Sequence, residues 1–129
     1  MTDVLKAIRA RLSLPLIAAP MFLVSGTALV IAAGRAGVIG AFPTANCRSV
    51  EGLDQWSAEI VTALKRHEDA TGKPAAPWCP NLIVHRSNPR VPEDLRLLLK
   101  HRPELVITSV GTPAPVVGPL HDIGAVVLA

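Results

Sequence analysis

Residues 15–42 read PLIAAPMFLVSGTALVIAAGRAGVIGAF, and the order of signals in this stretch decides the fold class. Pro15 to Ala19 is a short apolar run closed by Pro20, as in a strand buried on both faces. Ser25 is a helix-capping residue type, and Ala28, Leu29, Ala32, Ala33 and Ala36 recur at helical spacing. Gly37 fits the position just past the last turn, where a left-handed backbone is cheap for glycine. Val38 to Phe42 is a second apolar run. Strand, helix and strand in so short a span make a tight βαβ unit.

The rhythm continues outward. Pro43 to Ser49 is a polar loop, and from Val50 a helical stripe of Leu53, Trp56, Ile60, Val61 and Leu64 runs to a stop at Thr71-Gly72-Lys73-Pro74. Trp78 to Val84 is a third strand. Pro92 suits a helix start, with Glu93 and Asp94 near the positive helix end and Leu95, Leu98 and Leu99 as the buried face. Leu105 to Val110 is a fourth strand, rich in β-branched residues. A short helix carrying Val116, Val117 and Leu120 then leads through Gly124 to a fifth run, Ala125 to Ala129.

Right-handed crossovers would lay these strands side by side in one parallel sheet. A doubly wound sheet and an arc of a (β/α)₈ barrel both fit, and periodicity does not separate them. A complete barrel needs about 250 residues, and this sequence closes inside an apolar run. The expected fold class is therefore α/β, the N-terminal half of a (β/α)₈ TIM barrel with parallel strands, incomplete as given. Residues 1–129 would form the first part of a single domain.

Composition narrows the function. Half of the 129 residues are hydrophobic and 18% are charged, below the roughly 25% usual for soluble domains. The net charge of +3 comes from scattered Lys and Arg, and Phe22, Phe42, Trp56 and Trp78 are the aromatic residues. A nucleic-acid groove needs a basic stripe with stacking platforms, so no nucleic-acid partner is expected. The opening lacks the apolar core of a signal peptide and the longest apolar stretch is too short and too broken to span a bilayer. No membrane association is expected, and the cytoplasm is the default compartment. Cys47 and Cys79 read as buried free thiols, and His67, His85, His101 and His121 have no metal-ligand spacing.

Four motifs carry possible chemistry. Ala19-Pro20-Met21 lies at the C-terminal end of strand one, where barrels build active sites; a flat ring against this backbone competes with a simple strand stop. Gly34 to Gly40 resembles a phosphate loop, but its glycines end a helix and open a strand, the reverse of a phosphate cradle, so capping and close packing are the better reading. Asn81 is a lone amide in an apolar strand and must find a partner, either a cofactor or a neighbouring strand. Thr108-Ser109 with Gly111 again marks a strand end, where a hydroxyl faces a ligand or caps a helix. No Ser-His-Asp or Cys-His arrangement emerges from the spacing. His85 and His121 are weak candidates for proton transfer.

Taken in order, Pro15–Met21, Ala36–Asn46, Pro80–Arg86, Asn88-Pro89-Arg90 and Val106–Gly111 resemble the N-terminal part of the nitronate monooxygenases, formerly called 2-nitropropane dioxygenases. The resemblance spans nearly the whole chain. It implies a barrel that holds FMN non-covalently, with the backbone of Ala19, Pro20 and Met21 against the isoalloxazine ring and Asn81 contacting the flavin; Ser109 joins them as a candidate cofactor contact. It implies a nitronate or nitroalkane substrate and O2, proton abstraction α to the nitro group by a His, and a carbonyl compound and nitrite as products. That His, and the glycine-rich loops that grip the FMN phosphate, belong to later segments of the family. The chain is accordingly expected to carry no catalytic residue and to be inactive alone. Two alternatives stand beside this expectation. One is the related FMN barrel that reduces enoyl-acyl carrier protein with a nicotinamide. The other is a non-catalytic barrel fragment, completed by a partner chain or by self-association through open sheet edges.

Overall fold

A computed structural model describes residues 2–129. The order of elements is α1 (Asp3–Ala10), β1 (Ile17–Ala18), α2 (Thr27–Ala36), β2 (Ile39–Pro43), a 3₁₀ turn (Thr44–Asn46), α3 (Val50–Thr71), β3 (Trp78–Ile83), α4 (Val91–His101), β4 (Leu105–Ser109), α5 (Ala114–Asp122) and β5 (Val126–Leu128). The five strands form one sheet in the order β1-β2-β3-β4-β5, and every neighbouring pair is parallel.

The sheet's two faces are covered differently. Phe42, Leu82 and Val106 pack with Val30 and Ile31 of α2, Leu53, Ile60 and Leu64 of α3, Leu97 and Leu98 of α4, and Val116 and Leu120 of α5. All four crossover helices thus lie on one side. On the other side Ile39, Ala41, Cys79 and Leu105 form a second, smaller cluster with Ile8 of α1. A doubly wound sheet would carry crossover helices on both faces. Sequential strands with every crossover on one face make an arc of a TIM barrel, which decides between the two architectures.

Close approach of backbone explains the glycine-rich stretch. A β-carbon on Gly40 would sit 2.7 Å from Cα and 2.8 Å from the carbonyl oxygen of Val30, so glycine lets α2 rest on β2. Gly37 takes φ 82°, and Val38 N–H returns to Ala33 at 2.9 Å, closing the helix as expected.

Some local expectations fail. Strand one is two residues long rather than five, because Leu16 N–H turns back to Leu14 instead of entering a ladder. The cap of α2 is Gly26, not Ser25. In α4 the deeply buried positions are Asp94, Leu97 and Leu98, while Leu95 and Leu99 are half-buried. Val61 of the α3 stripe is exposed. The first helix was not anticipated, although its signals are local: Thr2 caps it through Leu5 N–H at 3.3 Å, Asp3 sits in the first turn, and Ile8 is buried. Arg11, just past α1, makes a two-pronged ion pair with Glu104 at 2.7 and 2.9 Å and so ties that helix to the N-terminal end of β4. Among the described residues, no helix is long and apolar enough to cross a membrane.

Candidate functional site

With α1 against the N-terminal ends of the strands, the C-terminal ends are left to the βα loops. Every motif picked from the sequence except the Gly34–Gly40 turn lies at or beside that end. On β3, Cys79 belongs to the second-face cluster, so strand alternation puts Asn81 and Ile83 on that same face. Register sets Asn81 beside Pro43 of β2 and Ile107 of β4, and Ile83 beside Ser109.

Ser109 Oγ donates to Asn81 Oδ1 at 3.0 Å. The structure therefore brings two of the expected cofactor contacts together. Asn81 is nearly buried as a residue, at 9% exposure, and its Nδ2 reaches solvent and meets no protein acceptor among the described residues. An amide in that state keeps a donor open to a ligand or to water at the mouth of the arc. Thr108 does not share the site. It faces the helices, is buried, and its hydroxyl lies 3.5 Å from Leu128 O.

Ala19, Pro20 and Met21 follow β1 at the same end, separated from β3 by β2. Ala19 is exposed and Pro20 half-buried. Met21 is 44% exposed, so it is not a core residue. Its backbone is fully engaged. The N–H donates to Ser25 Oγ at 2.8 Å, and the carbonyl accepts from Ser25 N–H at 3.0 Å and Asn46 Nδ2 at 3.0 Å. What Met21 offers a ligand is a van der Waals surface rather than a free amide. Phe22, Leu23 and Val24 beside it are strongly exposed.

Two groups that shape this end escaped the sequence reading. Asn46 accepts from Leu23 N–H at 2.8 Å and donates to Met21 O at 3.0 Å and to Ser25 O at 2.8 Å, holding Leu23 at φ 63°. Arg90, expected only as part of a loop motif, binds the Cys47 carbonyl and reaches Asp94 Oδ1 at 2.9 Å through Nη2. Asp94 is 1% exposed; burial pushes its carboxyl up, and Arg90 pulls the other way. Asn46 stands in a polar loop, where one more amide gave no signal. The Asp94–Arg90 spacing of four on a helix start was the signal for the second pair.

A hollow of about 250 Å³ lined by Ala45, Ile83, Asn88, Arg90 and Asp94 opens between the loops after β2 and β3. A larger one, about 600 Å³, lies between α2 and α3 on the outer surface, lined by Ala28, Arg35, Glu59 and Arg66 among others, away from the strand ends. Size alone would choose the outer surface, whereas barrel chemistry is built at the C-terminal ends of the strands. His121 is exposed in the last turn of α5. The two cysteines are buried and free, and burial pushes each thiol up to about 12.

Fold and mouth together define the class: an α/β arc of parallel strands matching part of a TIM barrel, with its polar groups gathered at the C-terminal strand ends. No family model matches the chain, and no curated protein matches it in sequence. Among solved structures it is similar to FabK from Thermotoga maritima, with a TM-score of 0.75 and 18% identity over 98% of this chain. A methionine-to-alanine mutant of the same protein gives a TM-score of 0.74 and 16% identity, again over 98% of the chain. The chain spans 36% and 38% of the length of those two structures. Likeness at such identities concerns the fold.

Proposed function

We propose that this chain supplies the first strands of an FMN-dependent TIM-barrel oxidoreductase that oxidises alkyl nitronates with O2 to a carbonyl compound and nitrite. The observation that carries the reading is Asn81: nearly buried, oriented by Ser109, with its Nδ2 donor unpaired at the barrel mouth. A flavin ring edge rich in acceptors suits such a donor, and Ala19, Pro20 and Met21 offer an uncharged edge for the flat ring. The FabK likeness supports a flavin barrel at the coarser level.

Bound FMN supplies the electron-accepting chemistry and its reoxidation by O2. The chain's own share is positional. Asn81 donates, Ser109 Oγ holds the Asn81 amide in one orientation, and Pro20 fixes the backbone of the loop after β1. We assign none of its residues to proton abstraction or to the FMN phosphate. The chain thus forms one wall of the ring pocket, and it does not turn over alone. Substrate and O2 are its small-molecule partners in this reading, and the β1 and β5 edges are open to self-association.

The second reading is the enoyl-acyl carrier protein reductase type of the same FMN barrel, which the FabK likeness supports equally. Two experiments test the proposal. In the first, the 129-residue chain is titrated with riboflavin and with FMN, following flavin fluorescence. Similar weak quenching by both is expected, lost about tenfold in Asn81→Leu. Absence of quenching, or an unchanged Asn81→Leu titration, refutes the ring pocket. In the second, flavin-loaded protein containing this segment is assayed with ethyl nitronate and oxygen, and with an enoyl thioester and NAD(P)H. Turnover of the thioester alone moves the assignment to the reductase.

A further inference from the structure

The loop after β3 contains a histidine whose imidazole is held in one form. Ser87 N–H donates to His85 Nδ1 at 3.1 Å, and Ser87 Oγ lies 2.7 Å from the same nitrogen. A backbone N–H is always a donor, so Nδ1 is an acceptor here and the ring proton sits on Nε2. The loop that does this is itself braced. Asn88 N–H returns to the His85 carbonyl at 2.8 Å, Asn88 Nδ2 donates to Ile83 O at 2.8 Å, and Arg90 N–H donates to Asn88 Oδ1 at 3.1 Å. His85 Nε2 has no partner among the described residues, and the side chain is exposed.

Position gives this donor a direction. The β3–β4 ladder continues past the strand, since Val84 N–H donates to Ser109 O at 3.0 Å. Val84 packs with the helix-side core, so the next residue leaves the strand on the Asn81 side. The His85 backbone lies against Gly111, where a β-carbon would sit 3.5 Å from His85 Cα. Asn81, Ile83 and His85 therefore form one stripe with an unpaired N–H donor at each end. No acidic residue lies on the stripe, and Arg86 follows with no ion-pair partner among the described residues.

We infer that His85 is a ligand-binding residue at the barrel mouth, donating from Nε2–H to an oxygen of a small planar oxyanion. Resting on the mouth as the ligand site, it deepens the proposed function by naming the substrate's charge class and the group that meets it. His85 is here a neutral donor, distinct from the proton-abstracting base. A neutral donor on a rigid turn lowers the cost of fixing the anion's orientation.

The test is NMR of the chain with ¹⁵N-labelled histidine, free and titrated with ethyl nitronate in the absence of flavin. The free protein should show the Nε2–H form of His85. Nitronate should shift its Nε2 resonance saturably. His85→Leu should weaken half-saturation about tenfold, while His85→Gln, which keeps a donor, should restore most of it. An Nδ1–H form, no saturable shift at millimolar nitronate, or equal loss in His85→Gln and His85→Leu overturns the inference. Flavin titration is a separate readout. Failure to bind flavin with intact nitronate shifts removes the proposed function and leaves this site, whereas flavin binding without nitronate shifts does the opposite.

Discussion

Asn46 holds Met21 from across 25 residues, its Nδ2 donating to the Met21 carbonyl at 3.0 Å while its Oδ1 takes Leu23 N–H at 2.8 Å. One amide after β2 thus sets the shape of the loop after β1. That loop exposes Phe22, Leu23 and Val24 and keeps Leu23 in a left-handed backbone that costs a non-glycine residue energy. Asn46→Ala should release it. The expected loss is about 1–2 kcal/mol of stability, with faster amide exchange at Leu23 and Ser25 and unchanged exchange in α3. Hydrogen exchange read residue by residue decides this, and equal acceleration throughout the chain would contradict a local clamp.

Asp94 and Asp54 should respond to pH in opposite directions. Asp94 is pushed up by burial, against the pull of Arg90. Its share of stability is greatest in acid and is lost as pH rises through its raised folded pKa. Asp54 is pulled down by hydrogen bonds from Lys100 and then His101. Its share is present above the unfolded carboxylate pKa and is lost as pH falls through the lowered one. Relative to the parent, Asp94→Asn should cost most in acid and progressively less toward neutrality, and Asp54→Asn the reverse. Urea midpoints across the acid-to-neutral range measure both. Parallel curves for the two variants would show that the surroundings of Asp94 are wrongly described.

Breaking the Arg90–Asp94 pair from the carboxyl side should be worse than neutralising it. Asp94→Ala leaves the half-buried guanidinium without its partner and should cost about 2 kcal/mol at neutral pH. Asp94→Asn keeps an acceptor at Oδ1 for Arg90 and should cost less. Chemical denaturation of the two variants side by side gives the comparison.

Gly40 and Gly118 should differ in magnitude. Alanine at position 40 drives a β-carbon into the backbone of Val30, where neither α2 nor β2 yields cheaply, and about 3 kcal/mol of destabilisation is expected. Gly118 lies within α5 with no atom beyond its chain neighbours within 4 Å of a built β-carbon, but Pro119 follows it and disfavours a helical residue with a β-carbon before it, so the helix gain of Gly118→Ala should be largely offset and the change should stay within about 0.5 kcal/mol. Thermal or urea unfolding checks both.

Cys47 and Cys79 should stay silent toward a thiol reagent in the native state. Both are buried, and burial keeps each thiol protonated with its pKa pushed up to about 12. A disulfide reagent should label neither at neutral pH until denaturant is added. Rapid native labelling of Cys79 would mean that the second face opens readily to solvent.

Much of the architecture is legible before any coordinates. Gly37, Gly72 and Pro92 mark helix ends where they stand, and the five apolar runs are five strands in chain order. The errors are local competitions. Ser25 was a plausible cap, yet its hydroxyl takes Met21 N–H and Gly26 stands at the cap of α2. Asp94 read as a helix-start charge, yet it is buried because Arg90 comes with it. Ala19, Pro20, Met21 and Ser109 were chosen for their places at strand ends, and Asn81 as a lone amide in an apolar strand. A partner for Asn81 on a neighbouring strand was one of its two readings and is what the structure shows, but that the partner is Ser109 was not readable, and neither was the saturation of the Met21 backbone.

Alone, the sequence determined the strands, the helices and their alternation, because hydrophobic period and capping chemistry act within a few residues along the chain. Tertiary structure alone decided that all four crossover helices lie on one face, and that Asn81 meets Ser109 across 28 positions. Those facts depend on sheet register and on which face each strand turns inward. Register is a property of pairs of strands, and no single stretch of sequence contains it.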